Sequence, residues 1–180
     1  LVHGEGDFLP GLVVDIYGAT AVVQAHSPGM HFARNTVADA LVAIPELGVR
    51  SVYYKSETTL PYKAHLDATN GYLKGEFISD TASENGLDFR IDWLRGQKTG
   101  FFVDQRDNRA LVGRYSPGRS VLNMFCYTGG FSVYALQGGA HEVVSVDSSA
   151  KAITLTDANV ALNFPGDTRH SSSAEDAFKY

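Results

Sequence analysis

The stretch that most constrains this chain is Ser120-Val-Leu-Asn-Met-Phe-Cys-Tyr-Thr-Gly-Gly-Phe-Ser-Val-Tyr-Ala-Leu136, an apolar strand that passes through a glycine pair into an amphipathic helix. Val121, Leu122, Met124 and Phe125 make the short apolar run of a buried parallel strand, and Gly129-Gly130 permit a close backbone approach that a Cβ would forbid. The helix opening from that turn leaves its first N–H groups free to donate to a ligand. Glu142-Val-Val-Ser-Val-Asp147 then reads as a second apolar strand ending in a carboxylate. It lies about 20 residues beyond the glycines, the spacing of a Rossmann βαβ unit whose acid accepts from ribose hydroxyls. These residues predict an α/β domain over this part of the chain.

The glycine pattern separates two ligand classes. A dinucleotide needs G-x-G-x-x-G to seat its pyrophosphate, whereas Tyr127-Thr-Gly-Gly-Phe-Ser132 places bulky Phe131 inside that window. A nucleoside ligand without phosphate fits better. S-adenosylmethionine (SAM) is one, with its ribose at Asp147 and its carboxylate at the helix N-terminus. Removing Asp147 should then weaken SAM and leave stability nearly unchanged. The same glycines would also serve a turn that binds nothing. An NAD-type dehydrogenase and a non-catalytic RNA-binding module stay open as alternative functions.

Composition narrows the setting. Hydrophobic residues make up 44% of the 180 and charged residues 19%, as in ordinary globular protein. The single cysteine excludes an internal disulfide, and the six histidines show no metal-binding spacing, so no metal site is expected. With no membrane-length apolar run and no signal pattern, the cytoplasm is the expected compartment. Charge is uneven: residues 90–119 hold seven Lys and Arg against three Asp and Glu, in a chain of net charge −5. That segment is either a contact for a polyanion or a solvated face. Leu1 as first residue and only about three countable Rossmann strands lead to the expectation of a piece of a longer protein.

In chain order, Leu12–Tyr17 and Thr20–Ala25 predict a β-hairpin, and Phe32, Val37, Leu41 and Ile44 the inner face of a helix closed by Pro45. Ser51–Lys55 reads as a strand. Glu84-Asn-Gly86 marks a second hairpin. Asp104 is expected to cap a helix that turns Leu111, Val112 and Tyr115 inward, and Ser148 or Ser149 to cap the helix reaching Asn163. A strand edge is expected at Thr168–Ser171. Asp176 would follow it, either as a ligand acid or as a helix N-terminal acid. The expected organisation is a small α+β domain over 1–76, a connecting hairpin over 77–95, and the N-terminal part of a Rossmann-like domain over 96–180.

Leu9-Pro-Gly-Leu-Val-Val-Asp-Ile-Tyr-Gly18, Glu84-Asn-Gly86, Gly96-Gln-Lys-Thr-Gly-Phe-Phe-Val-Asp-Gln-Arg-Asp-Asn-Arg109 and Val121–Ser132 together resemble, in this order, the signatures of a known family. It is the SAM-dependent large-subunit ribosomal RNA (cytosine-5) methyltransferases of the RlmI type. The resemblance implies a PUA RNA-binding domain ahead of Leu1, a central α+β domain, and a truncated class I methyltransferase domain. By resemblance, Phe101, Asp104 and Arg106 pack on the methionine end of SAM, and Asn123, Tyr127, Thr128 and Gly129 form the glycine loop. Asp147 holds the ribose and Asp176 accepts from the adenine amino group. Ribosomal RNA is the implied substrate, with oligomeric state left open and a homodimer as one option. The catalytic cysteine and its Asp-Pro-Pro-type motif are expected beyond Tyr180, so this chain alone is expected to be inactive. Cys126, inside the cofactor loop with no cationic neighbour, is expected to be a packing residue and not the nucleophile.

Overall fold

The computed structural model describes the backbone of residues 1–180 and every side chain but that of Ala64. The chain forms two compact units, Leu1–Ala82 with Ile91–Phe101, and Ser83–Arg90 with Phe102–Tyr180.

The first unit is built on the expected hairpin. Strands β2 (Leu12–Tyr17) and β3 (Thr20–Ala25) pair in register from Tyr17↔Thr20 to Leu12↔Ala25, with β1 (Val2–His3) antiparallel on β2. Helix α1 (Pro28–Ala43) crosses to β4 (Ser51–Tyr54), which runs parallel to β3, and β5 (Gly71–Lys74) closes the order β1-β2-β3-β4-β5. Leu12, Val14, Ala21, Val23 and Val52 form the core with Ala38 and Leu41 of α1. The helix differs from expectation in start and phase. Ser27 accepts from the Met30 N–H and Pro28 takes the first helical position, so α1 begins already at Pro28. His31, Ala38 and Leu41 are the buried residues, while Phe32 is 69% and Ile44 45% exposed. His31 is tolerated inside because its Nδ1 hydrogen-bonds the Tyr54 hydroxyl at 2.8 Å, and burial holds its pKa below the usual value.

Residues 91–101 complete this unit. Trp93 is buried with its ring stacked on Tyr17 at 6.3 Å. Gly100, at φ +116°, leaves room for no side chain, since a Cβ would stand 2.8 Å from Ile91 Cγ2 and 3.0 Å from Trp93 N.

The second unit takes its first residues from a hairpin. Strands β6 (Thr81–Glu84) and β7 (Leu87–Arg90) meet at Asn85 (φ 52°) and Gly86 (φ 80°), the left-handed pair that an Asn-Gly turn requires. Helix α2 (Arg106–Tyr115), β8 (Ser120–Met124), α3 (Gly130–Gln137), β9 (Glu142–Asp147), α4 (Ala150–Asn163) and β10 (His170–Ala174) follow. The three strands are parallel in the order β10-β9-β8, one half of a doubly wound sheet. Amide side chains of α4 satisfy the open edge of β7: Asn163 Oδ1 accepts from Asp88 N and Asn159 Oδ1 from Arg90 N, each at 2.8 Å. Ser149 caps α4, accepting from the Ala152 N–H.

Three expectations are corrected here. Asp104 does not cap α2; it lies in a preceding 3-10 turn, Val103–Gln105, and the cap position is Gln105, without a side-chain bond. The inward residue of α2 is Arg109, 2% exposed, whereas Leu111 is 44% and Tyr115 65% exposed. An ion-pair partner on β6, invisible to apolar periodicity, decides that orientation. Leu122 and Phe125 are 54% and 66% exposed, because β8 has one strand neighbour among the described residues and the chain leaves the sheet at Phe125.

Candidate functional site

Three parallel strands end at one edge of the sheet of the second unit. Met124 is registered with Val146 and Asp147 with Ala174, so the loops after β8, β9 and β10 emerge side by side. The first of these loops is strained. Phe125 (φ 57°), Tyr127 (φ 50°) and Gly129 (φ 76°) are all left-handed, a conformation that costs the two aromatic residues about 1 kcal/mol or more each.

Side chains from other elements hold that loop. Cys126 N donates to Val146 O at 3.0 Å, just past the end of β8, and Tyr127 N donates to Asp147 Oδ2 at 2.9 Å. From α4, Thr156 Oγ1 donates to Tyr127 O and Asn159 Nδ2 to Thr128 O, both at 2.9 Å. Gly129 is required here, since a Cβ would lie 2.5 Å from Thr156 Cγ2. Helix α3 starts at the next residue.

Asp147 accepts one bond on each oxygen, from Tyr127 N and, through Oδ1, from Ser149 N at 2.9 Å. A carboxylate oxygen carries two lone pairs, so each can still accept from a hydroxyl. The acid is thus also a builder of the loop. The expectation that removing it leaves stability unchanged is corrected on that ground, because two backbone donors would lose their acceptor.

Tyr127, Thr128, Gly129, Asp147 and Asp176 therefore share one sheet edge. Asp176 is exposed, two residues past β10, and its Oδ1 accepts from Phe178 N at 3.0 Å. The Phe178 ring meets Phe125 edge-on at 6.2 Å. Asn123 is turned toward α3, where its Nδ2 donates to Ser132 Oγ at 2.8 Å. Ser132 is bonded in turn to Ser145 at 2.7 Å, and Ser145 to His170 Nε2 at 2.8 Å. Burial holds His170 below its usual pKa, against the opposing pull of Asp157 and Asp167. Asp104 is exposed and accepts from Gln105, and Arg106 reaches Glu84 at 3.4 Å. Phe101 belongs to the first unit, where it is buried and its carbonyl accepts from the Tyr17 hydroxyl at 3.2 Å. Cys126 is 5% exposed, and burial pushes its thiol up to about 11.

One cluster was not expected from sequence. Arg109 donates through Nε and Nη2 to the two oxygens of Glu84 at 2.8 and 2.7 Å, and through Nη1 to Phe102 O at 2.8 Å. The Tyr134 hydroxyl donates to Glu84 Oε1 and accepts from Asn85 Nδ2, each at 2.9 Å. Burial works to raise the Glu84 pKa, but the Arg109 guanidinium, with Tyr134 and Arg106, outweighs it and holds the acid below its usual range. Tyr134 is pushed up to about 12 by burial and by its bond to Glu84. The only signal in the sequence was the unusual density of polar residues around Arg109.

Parallel strands with a strained glycine loop after the first and an acid ending the second define a Rossmann-like nucleoside-binding fold. The model of the S-adenosylmethionine-dependent methyltransferases matches residues 33–180, and the chain belongs to this family, whose cofactor is SAM. The ribosomal RNA large subunit methyltransferase I of Tolumonas auensis is 42% identical over 99% of this chain. The match covers 45% of that protein, so the chain spans about half the length of such relatives. A Streptococcus mutans structure assigned as a SAM-dependent methyltransferase aligns with TM-score 0.83 and 26% identity, over 98% of this chain and 45% of that one. SMU.776, assigned as a methyltransferase and solved in complex with SAH, aligns with TM-score 0.84 and 26% identity over 99% and 45%. The expected mixed α/β class with a Rossmann-like methyltransferase domain holds. No helix among the described residues is long and apolar enough to cross a membrane.

Proposed function

We propose that this chain carries the SAM-holding part of an enzyme that methylates large-subunit ribosomal RNA, with C5 of a cytosine as the acceptor atom. The observation that carries the reading is the gathering of Tyr127, Gly129, Asp147 and Asp176 at one carboxyl sheet edge, in a chain of this family whose relatives are named for that RNA.

The donor set fits SAM. Asp147 keeps a lone pair on each oxygen for the ribose hydroxyls, and exposed Asp176 offers a carboxylate to the adenine amino group. The first turn of α3 offers backbone N–H groups to the methionine carboxylate. SAM bound there supplies an electrophilic methyl group. C5 of cytosine becomes nucleophilic only after a thiolate adds at C6, and the base must leave its stack to be reached. Cys126 is unsuited to that role: it is buried against Thr156, and its thiol stays protonated near neutral pH. The thiolate is therefore expected from outside residues 1–180. Arg114 and Arg119 are exposed and available to RNA phosphates, whereas Arg109 is withdrawn into its pair with Glu84.

The test uses the full protein as its gene encodes it. Calorimetry should show SAM binding and no NAD binding, and labelled methyl should appear in large-subunit ribosomal RNA at cytosine C5. Asp147→Ala should weaken SAM by about 1.5–3 kcal/mol, the range for hydrogen bonds to a charged acceptor. NAD binding without SAM binding, or label on another atom, would overturn the corresponding half of the reading.

A further inference from the structure

The Glu84–Arg109 pair asks for a reason to exist. Arg109 is 2% exposed and the Glu84 side chain 9%, and a buried pair loses in desolvation much of what it gains in attraction. Apolar residues of similar size would hold a hairpin to two helices at least as well. What apolar residues cannot supply is direction. A planar guanidinium can bind both oxygens of one carboxylate and keep a third N–H aimed at a fixed point.

Here that point is the carbonyl of Phe102, at 2.8 Å. Phe102 (φ −94°, ψ 79°) is the residue immediately before the 3-10 turn; its carbonyl accepts locally from Gln105 N at 3.1 Å, and the Arg109 bond ties the same carbonyl to the ion pair on β6 and α2. Its ring stands edge-on to Tyr127 at 5.4 Å and 77°. Tyr127 is the left-handed residue whose N–H meets Asp147. Glu84 is held in turn by Tyr134, and Tyr134 by Asn85, so both polar residues of the Glu84-Asn-Gly86 turn serve one arrangement.

We infer that the Glu84–Arg109 pair is a positioning clamp for the cofactor loop: it fixes Phe102, and through the Phe102 ring it holds Tyr127 in the conformation that binds SAM. The inference rests on the reading that this edge holds SAM, and Arg109 acts through Phe102 without itself touching the cofactor.

The test compares Arg109→Lys, Glu84→Gln and Phe102→Leu in the full protein, well below each melting temperature. SAM affinity is measured by calorimetry and amide exchange at Tyr127 by NMR. Arg109→Lys, which keeps the charge and loses the fork, should weaken SAM at least tenfold and speed Tyr127 exchange at least tenfold, with β9 and α4 amides unchanged. Glu84→Gln, which still offers one acceptor, should fall between it and the parent. Phe102→Leu leaves the ion pair intact and should reproduce both effects, so it carries the test if Arg109→Lys does not fold. Unchanged Tyr127 exchange in Phe102→Leu or in folded Arg109→Lys overturns the clamp, whatever happens to SAM. If the parent binds no SAM while the variants still free Tyr127, the cofactor reading falls and the clamp on the loop stands.

Discussion

Two glycine turns in this molecule have similar backbone angles and very different supports. Gly18, at φ 56°, joins β2 to β3 where Tyr17 pairs with Thr20, and the turn carbonyl Ala19 O accepts from the backbone N–H groups of Arg50 at 2.9 Å and Ser51 at 3.1 Å. Gly129, at φ 76°, sits in a loop whose groups are met by Asp147, Thr156 and Asn159, on β9 and α4. The first turn is supported by backbone pairing with its sheet neighbours. The second exists only when the sheet and α4 are in place, and it leaves acceptors at its rim. A turn held by side chains of other elements can change when those side chains or a ligand change, and that suits it to a binding site.

Alanine at the two glycines is the strongest way to break this comparison. Gly129→Ala drives a Cβ to 2.5 Å from the β-branched Thr156, besides the cost of a left-handed alanine, and should remove about 3 kcal/mol from the second unit. At Gly18 a Cβ would meet Thr81 O at an ordinary 3.6 Å, so Gly18→Ala should cost only the conformational part, about 1 kcal/mol. Urea titrations check this, with the fluorescence of Trp93 reporting the first unit and amide exchange of α4 the second. Equal costs would mean that the Gly129 loop yields as a free turn does.

Acid offers a smaller effect on the same side. His170 ends the chain Asn123–Ser132–Ser145–His170 beneath the loop, and burial places its folded pKa below the unfolded value of about 6.5. The unfolded chain therefore takes up the proton first. The stabilisation from neutral His170 is complete above about pH 6.5 and is lost as pH falls through the lower folded pKa. His170→Gln should flatten that part of the pH dependence in the second unit. A profile unchanged by the substitution would show that His170 is not the group responsible.

Cys126→Ser should have the least effect. The thiol sits 3.7 Å from Thr156 Oγ1, a polar neighbour that a hydroxyl can also use, so stability should change by about 1 kcal/mol or less. Under the proposed function, methyl transfer by the full protein should be largely kept. A folded, SAM-binding Cys126→Ser protein without activity would make the loop itself catalytic.

The sequence alone determined the features that short-range physics controls. Two apolar runs around Gly18-Ala19 placed β2 and β3, Asn-Gly placed the turn at residues 85 and 86, Ser149 capped α4, and an apolar run ending in Asp147 marked the second Rossmann strand. For the turn and the cap the decisive partner lies within a few residues, and the strands follow from the apolar character of their own residues. Tertiary structure decided what depends on distant partners. The face of α2 is chosen by Glu84, 25 residues from Arg109, which outweighs the apolar pattern of Leu111 and Tyr115. The face of α1 admits His31 because Tyr54, 23 residues away, satisfies it. Spacing singles out Asp147 as a candidate ribose acid but does not reveal its hold on the Tyr127 N–H, because periodicity records which residues are apolar and not where a polar group finds its partner.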